Sequence, residues 1–306
     1  MPNVTAYMNI VIYGVGGLLA IAGLMRWWRG SRRDPLGDVP PRPSRFGPET
    51  VGIAMLIYFL GVTVCLQIAD ELVGQANIDE EVAAPLDGET LAAEDDAPAE
   101  DEASPEPNLA GIAAGNAAQL IGWVGCLALA TLSFDGGARR FLLGSQGSAW
   151  AIGAAVALAV VSIPLCDGLV MAATWVLEYL GRSDLATRQH SVIQTLLNDS
   201  PRWWGVGVLW VGAVVIAPLA EEAFFRGILQ TTVSKVIGGR WLAVFCSAIA
   251  FGAGHAVGQP QAVPALIVLG ILLGAVYERT GSLVAPILLH GLFNLKTMLW
   301  VTWGQA

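Results

Sequence analysis

WWGVGVLWVGAVVIAPLA, residues 203–220, carries no charge and runs straight into EEAFFR, residues 221–226. The uncharged stretch approaches the ~20 apolar residues that cross a bilayer as a helix. Two carboxylates and a guanidinium then follow within little more than one helical turn. At mid-membrane each such group costs about 2.5–3.5 kcal/mol, so the three together cost about 8–10 kcal/mol before pairing. A helix that only had to span would not carry them. The segment reads as an intramembrane functional site.

The rest of the chain supports a membrane setting. Of 306 residues, 55% are hydrophobic and 13% charged, and mean hydropathy is +0.60. Hydrophobic segments fall at roughly 6–28, 51–69, 109–134, 149–180, 203–235, 241–257, 262–278 and 281–303. The expected fold is all-α, a polytopic transmembrane helix bundle of about eight spans, integral to the cell membrane of a prokaryote. Four regions are expected: a two-span hairpin with an Arg-rich loop (1–70), an acidic disordered loop (71–108), two further hydrophobic segments (109–182) and a four-helix core (200–303). Residues 183–200 read as a short interfacial helix. Pro164 and Asp167 predict a kink or break in the fourth segment, with Asp167 in a partnered, structural role.

The net charge of −9 describes one loop. Between Asn77 and Asn108 there are twelve Asp or Glu and no Lys or Arg. That stretch, with Pro85, Pro98, Pro105 and Pro107 and no aromatic residue, buries too little apolar surface to order itself. No basic cluster interleaves with aromatics, so nucleic acid is excluded as a partner. Cys65, Cys126, Cys166 and Cys246 each sit in a separate apolar run without metal or redox spacing, and read as small buried hydrophobes. Arg26, Arg29, Arg32, Arg33, Arg42 and Arg45 make the first loop cytoplasmic and the N-terminus extracytoplasmic. Arg139, Arg140, Lys235 and Arg240 fall on the cytoplasmic side too, while Arg182, Arg188 and Arg202 run against the trend.

Helix geometry sorts the polar residues. Glu222 and Arg226, four apart, share a face and can pair; Glu221 is turned by about 100° from Glu222 and can face a cavity. Phe251 and His255 are four apart, flanked by Gly252 and Gly254, which permit close helix approach. His290 and Asn294 repeat that spacing on the last span, next to Gly291 and one turn after Pro286. A desolvated carboxylate suits a general base. Imidazoles can orient water or stabilise an oxyanion, and a carboxamide can donate to one. The set suits water attack on a carbonyl. No serine or cysteine occupies a nucleophile motif, and the zincin signature HExxH is absent.

Three motifs on successive apolar helices carry a resemblance: Glu221-Glu222-Ala-Phe-Phe-Arg226, Phe251-Gly-Ala-Gly-His255 and His290-Gly-Leu-Phe-Asn294. The region around 200–300 resembles the CPBP intramembrane proteases, the group containing CAAX prenyl-protein endopeptidases and bacteriocin-processing or self-immunity proteins. The resemblance implies an intramembrane endopeptidase acting on a membrane-embedded or membrane-anchored protein or peptide, CAAX-like or lipidated. It implies that Glu221 activates water with help from His255, that His290 and Asn294 form the oxyanion site, and that Glu222, Arg226 and Phe251 support them. Glu221, His255 and His290 would also make a His₂–Glu zinc site with one open position; a metal-free, glutamate-dependent hydrolase uses the same residues. The alternatives are a non-proteolytic scaffold or immunity-type protein, and a proton or cation carrier built on the same Glu and His groups. A common cavity opening to the cytoplasmic side is expected.

Overall fold

A computed structural model describes residues 45–83, 109–133, 136–144, 148–198 and 203–303. The expected span at 6–28, the Arg-rich loop before Arg45 and residues 84–108 lie outside the described residues. The described chain is helical without strands: α1 Pro48–Ala83, α2 Leu109–Ser133, α3 Gly137–Leu143, α4 Ser148–Tyr179, α5 Ser183–Ala186, α6 Ser191–Asn198, α7 residues 203–237, α8 Arg240–Gly254, α9 Val263–Thr280 and α10 Val284–Trp303. Six of these helices are long and apolar enough to cross a membrane, and α8 is a shorter apolar helix.

Two expectations are corrected. α4 continues through Pro164 without a break. Asp167 pairs with Lys296 of α10, a partner that helix periodicity within one segment cannot supply. And α1 runs on to Ala83, so the first part of the expected 71–108 loop is helical. Glu71, Leu72, Gln75, Ala76, Glu80 and Glu81 are good helix formers, and the first proline after them is Pro85.

The bundle has an apolar core with a few buried polar side chains, and an apolar outer surface. Leu56, Phe59 and Leu60 on α1, Leu132 on α2 and Met171 and Trp175 on α4 are exposed, which suits a lipid-facing surface. Glu222, Arg226, Gln230, Glu278 and His290 are buried. α7 is central, packing against α2, α8 and α10, and α4 packs on α9 and α10. Small residues set the close approaches. A Cβ on Gly122 would lie 3.0 Å from the Tyr58 ring, and one on Gly270 2.9 Å from Ala248 Cα.

Basic residues close one end of the bundle. Arg240 donates from Nε to Glu278 Oε2 (3.1 Å), whose Oε1 accepts from Gln230 Nε2 (2.8 Å). Lys235 Nζ donates to the Phe46 carbonyl (3.1 Å). The α3 end docks on the α9–α10 turn, with Leu283 N–H donating to Leu142 O (2.8 Å). Gly144 makes that docking possible: its φ is +65°, and a Cβ there would overlap the Gly281 carbonyl.

Candidate active site

α7 is not a uniform helix. It takes π geometry at Gly212–Ile216 and again at Ala223–Gln230. π-turns inside α-helices recur at functional sites. Pro218 explains the first, because it has no N–H to return to the Val214 carbonyl. The widened turn leaves backbone acceptors for α10: Asn294 Nδ2 donates to the Ala213 carbonyl at 2.8 Å. Gly291 lies so close that a Cβ would approach Val214 O at 2.9 Å. The second π-turn follows Glu221 and Glu222 directly. Its carbonyls find side-chain donors, Ser247 Oγ to Phe225 O (2.8 Å) and Thr231 Oγ1 to Arg226 O (3.2 Å).

Glu222 and Arg226 are fully buried. Arg226 Nη1 donates to Glu222 Oε1 at 3.0 Å, and its Nη2 to the Gly270 carbonyl at 3.3 Å. The guanidinium also lies 4.7 Å from the Phe251 ring centroid, a cation–π contact. The same Glu222 Oε1 accepts from His290 Nδ1 at 2.8 Å. One carboxylate thus holds a cation on its own helix and an imidazole on α10.

Phe251 touches both motif histidines. Its ring centroid is 5.0 Å from His255 and 5.5 Å from His290, the latter edge-on. His255 ends α8, with Nδ1 2.9 Å from the Phe251 carbonyl. A carbonyl and an ionised carboxylate can only accept. Neutral His255 and His290 therefore carry their protons on Nδ1 and present a lone pair at Nε2. Asn294 stands one turn beyond His290.

Glu221 is half-buried, and its Oε2 is shielded with no hydrogen-bond partner. Its neighbour Glu222 takes the arginine and the histidine, leaving Glu221 as the site's uncommitted carboxylate. α2 packs against this part of α7 and carries two further shielded polar atoms without partners, Gln119 Oε1 and Trp123 Nε1. Tyr58 of α1 is within electrostatic reach of Glu221. Sequence periodicity missed this wall because no pattern within α1 or α2 says which face meets α7.

The third histidine, His190, also belongs to this end of the molecule and was not singled out by any motif. It precedes α6, and lies close enough to His255 for the two rings to interact electrostatically. His255 sits at the end of α8 away from Arg240, beneath the α5–α6 segment. The loop following it, 255–262, lies at the same end, opposite the turns that carry Lys235, Arg240 and Arg279.

A metal site can be tested against these contacts. Nδ1–H groups tied to a carboxylate and a carbonyl, with free Nε2 lone pairs, are the chemistry of metal-ligating histidines. Among the described residues, however, no three His, Cys, Asp or Glu side chains converge on a point that could hold an ion.

A polytopic helical bundle with a buried carboxylate–guanidinium–imidazole centre defines the class of integral membrane protein. Residues 203–296 match the family described as type II CAAX prenyl endopeptidase Rce1-like. Over these residues the chain is similar to that family, which is consistent with a CPBP intramembrane protease and supports a CAAX-type endopeptidase with a membrane-associated substrate. No curated protein matches the chain, and no solved structure does.

Proposed function

We propose that the protein hydrolyses a peptide bond of a membrane-anchored protein or peptide, CAAX-like or lipidated, using water activated by Glu221. The observation that carries this reading is the division of labour between adjacent carboxylates: Glu222 Oε1 is held by both Arg226 and His290, whereas Glu221 makes no such bond among the described residues, although each keeps an unpartnered Oε2. Glu221 takes a proton from water as its oxygen bonds to the scissile carbonyl carbon. The C–N bond then breaks, and the proton passes from Glu221 to the departing amine. His255 orients the water through its Nε2 lone pair. Asn294 spends one amide proton on Ala213 O and has a second for the oxyanion. His290 joins it as a donor when doubly protonated, with Glu222 against the cation.

The His₂–Glu zinc set of Glu221, His255 and His290 does not fit the arrangement of these side chains, which do not converge on one point among the described residues. The steps above do not require a metal.

The described basic loop residues, Arg45, Arg139, Arg140, Lys235, Arg240 and Arg279, gather at the end where α1, α4, α8 and α10 begin. That end is cytoplasmic by the excess of Lys and Arg. His255 and the α5–α6 segment then face the extracytoplasmic side. The test is cleavage of membrane-anchored and prenylated CAAX-type peptides by purified protein and by Glu221→Gln, each with and without a chelator. The reading requires cleavage by the wild type and none by the variant; a chelator effect identifies metal dependence.

A further inference from the structure

α10 makes polar contacts on two opposite faces. On one it meets α7: His290 Nδ1 donates to Glu222 Oε1 at 2.8 Å and Asn294 Nδ2 to the Ala213 carbonyl at 2.8 Å. On the other it meets α4, where Lys296 Nζ donates to Asp167 Oδ2. Lys296 is turned by about 160° from Asn294 and about 120° from His290. Its ammonium also lies 5.7 Å from the ring centroid of Trp300, one turn further on. The pair sits well inside both spans, about 18 Å of helix from Val284 on α10 and about 18 Å from Tyr179 on α4. Both side chains are largely shielded, 18% and 17% exposed. Charges at that depth are costly, and apolar side chains could fill the same space at no loss of stability. The pair therefore calls for a role that apolar packing does not supply.

The surrounding packing shows what that role is. To the core shared by α4, α9 and α10, α10 contributes Leu289, Leu292 and Phe293, and α4 contributes Ala155, Ala159 and Cys166. Lys296 follows those three α10 residues at helical spacings and extends their stripe. Small and aliphatic side chains pack in much the same way after a slide of one turn, about 5.4 Å. Lipid also competes on equal terms for such faces. A hydrogen bond from Nζ to Oδ2 tolerates no slide of that size. α4 is itself held at a set height, because Cys166 Sγ, beside Asp167, donates to the Ala265 carbonyl of α9 at 3.5 Å. On the α7 side, two bonds define a line about which α10 can still roll. The third bond, on the far face, stops that roll.

We propose that Asp167 and Lys296 are positioning residues of the active site: their ion pair fixes the roll and height of α10, and so directs His290 and the second Asn294 N–H at the reacting carbonyl. The kinetic consequence rests on the proteolytic reading above. α4 lies outside the matched residues 203–296, yet on this account it sets the geometry of the site from behind, without touching substrate.

Lys296→Met and the double variant Asp167→Leu/Lys296→Met separate positioning from plain packing. kcat, KM and thermal midpoint would be measured for both beside wild type, Lys296→Arg and Glu221→Gln. Lys296→Met takes the lysine from a shielded carboxylate and should lower both midpoint and kcat. The double variant removes both charges, so its midpoint should return towards that of wild type. Its kcat should nevertheless stay about 10- to 100-fold low at a KM within about twofold, because nothing then selects the roll of α10. Lys296→Arg keeps charge and donor and should retain most of kcat. Recovery of kcat together with the midpoint in the double variant overturns the proposal, and so does a loss in Lys296→Arg equal to that in Lys296→Met. Histidine ¹⁵N NMR of the intact protein in detergent gives a reading without turnover. The His290 Nδ1–H signal, set by its bond to Glu222, should shift in the double variant; an unmoved signal overturns the proposal. If wild type cleaves no anchored peptide, or Glu221→Gln cleaves as well as wild type, the proteolytic reading fails instead, and the NMR comparison still decides the role of the pair.

Discussion

Arg226→Met probes the centre of the fold and of the site at once. Arg226 is fully buried, and methionine fills much of its volume without charge. The substitution removes a charge-assisted bond to Glu222 (3.0 Å), another to the Gly270 carbonyl (3.3 Å) and a cation–π contact with Phe251 (4.7 Å). It leaves Glu222 buried with His290 as its remaining described partner. Hydrogen bonds to charged groups contribute about 1.5–3 kcal/mol each, and breaking a buried pair by removing one partner costs about 3–5 kcal/mol. The single variant should therefore lose about 3–5 kcal/mol in reversible unfolding from mixed micelles. Adding Glu222→Gln should recover most of that loss, because no uncompensated charge remains, and the double-mutant cycle should give a coupling energy of about 2 kcal/mol or more. A single-variant cost below about 1 kcal/mol, or a double variant no more stable than the single, would refute the claim that the ion pair organises α7 against α9 and α10.

Other predictions follow from single contacts. Glu221→Gln should abolish cleavage without lowering stability, since its shielded oxygen has no partner to lose; a depressed unfolding midpoint would assign Glu221 a structural role. Gly291→Leu should cost about 1–3 kcal/mol as overpacking, because even a Cβ would press on Val214 O; it should also displace His290 and Asn294 and lower kcat, which steady-state kinetics would show. Asn294→Ala should cut kcat about 10²–10³-fold if the amide serves the oxyanion, with a smaller loss of about 0.5–1.5 kcal/mol for the bond to Ala213. In intact cells, on a cysteine-free background, Val257→Cys should react with an impermeant maleimide from outside and Ile237→Cys should not; the reverse pattern would invert the assigned orientation.

The sequence shows where the polar residues lie along their helices more clearly than it shows which helices meet. Glu222 and Arg226 share one helix, so a four-residue spacing is enough to pair them. Each later histidine stands out because it interrupts an apolar span. What joins them depends on contacts between helices. His290 reaches Glu222 from α10, and the Phe251 ring stands between His255 and His290. Lys296 meets Asp167 across more than a hundred residues. In a bilayer these registers leave little trace, because the lipid-facing side of a helix is as apolar as its packed side. The π-turns in α7 had one available signal, Pro218. Tyr58, Gln119 and Trp123 had none, since no pattern within α1 or α2 says which face meets α7. His190 escaped notice because its place is fixed by a cap and by the Arg188–Val257 contact, neither of which belongs to a spaced motif.

The central claim is that Glu221, and not its paired neighbour, activates water against a peptide bond. Cleavage of a membrane-anchored CAAX-type peptide by purified wild-type protein, set beside an equally folded Glu221→Gln variant, tests it most directly. The account predicts product from the first and none from the second. Equal cleavage by both would contradict the assignment of Glu221, and no cleavage by the folded wild type across a panel of anchored peptides would favour a non-proteolytic role for the same bundle.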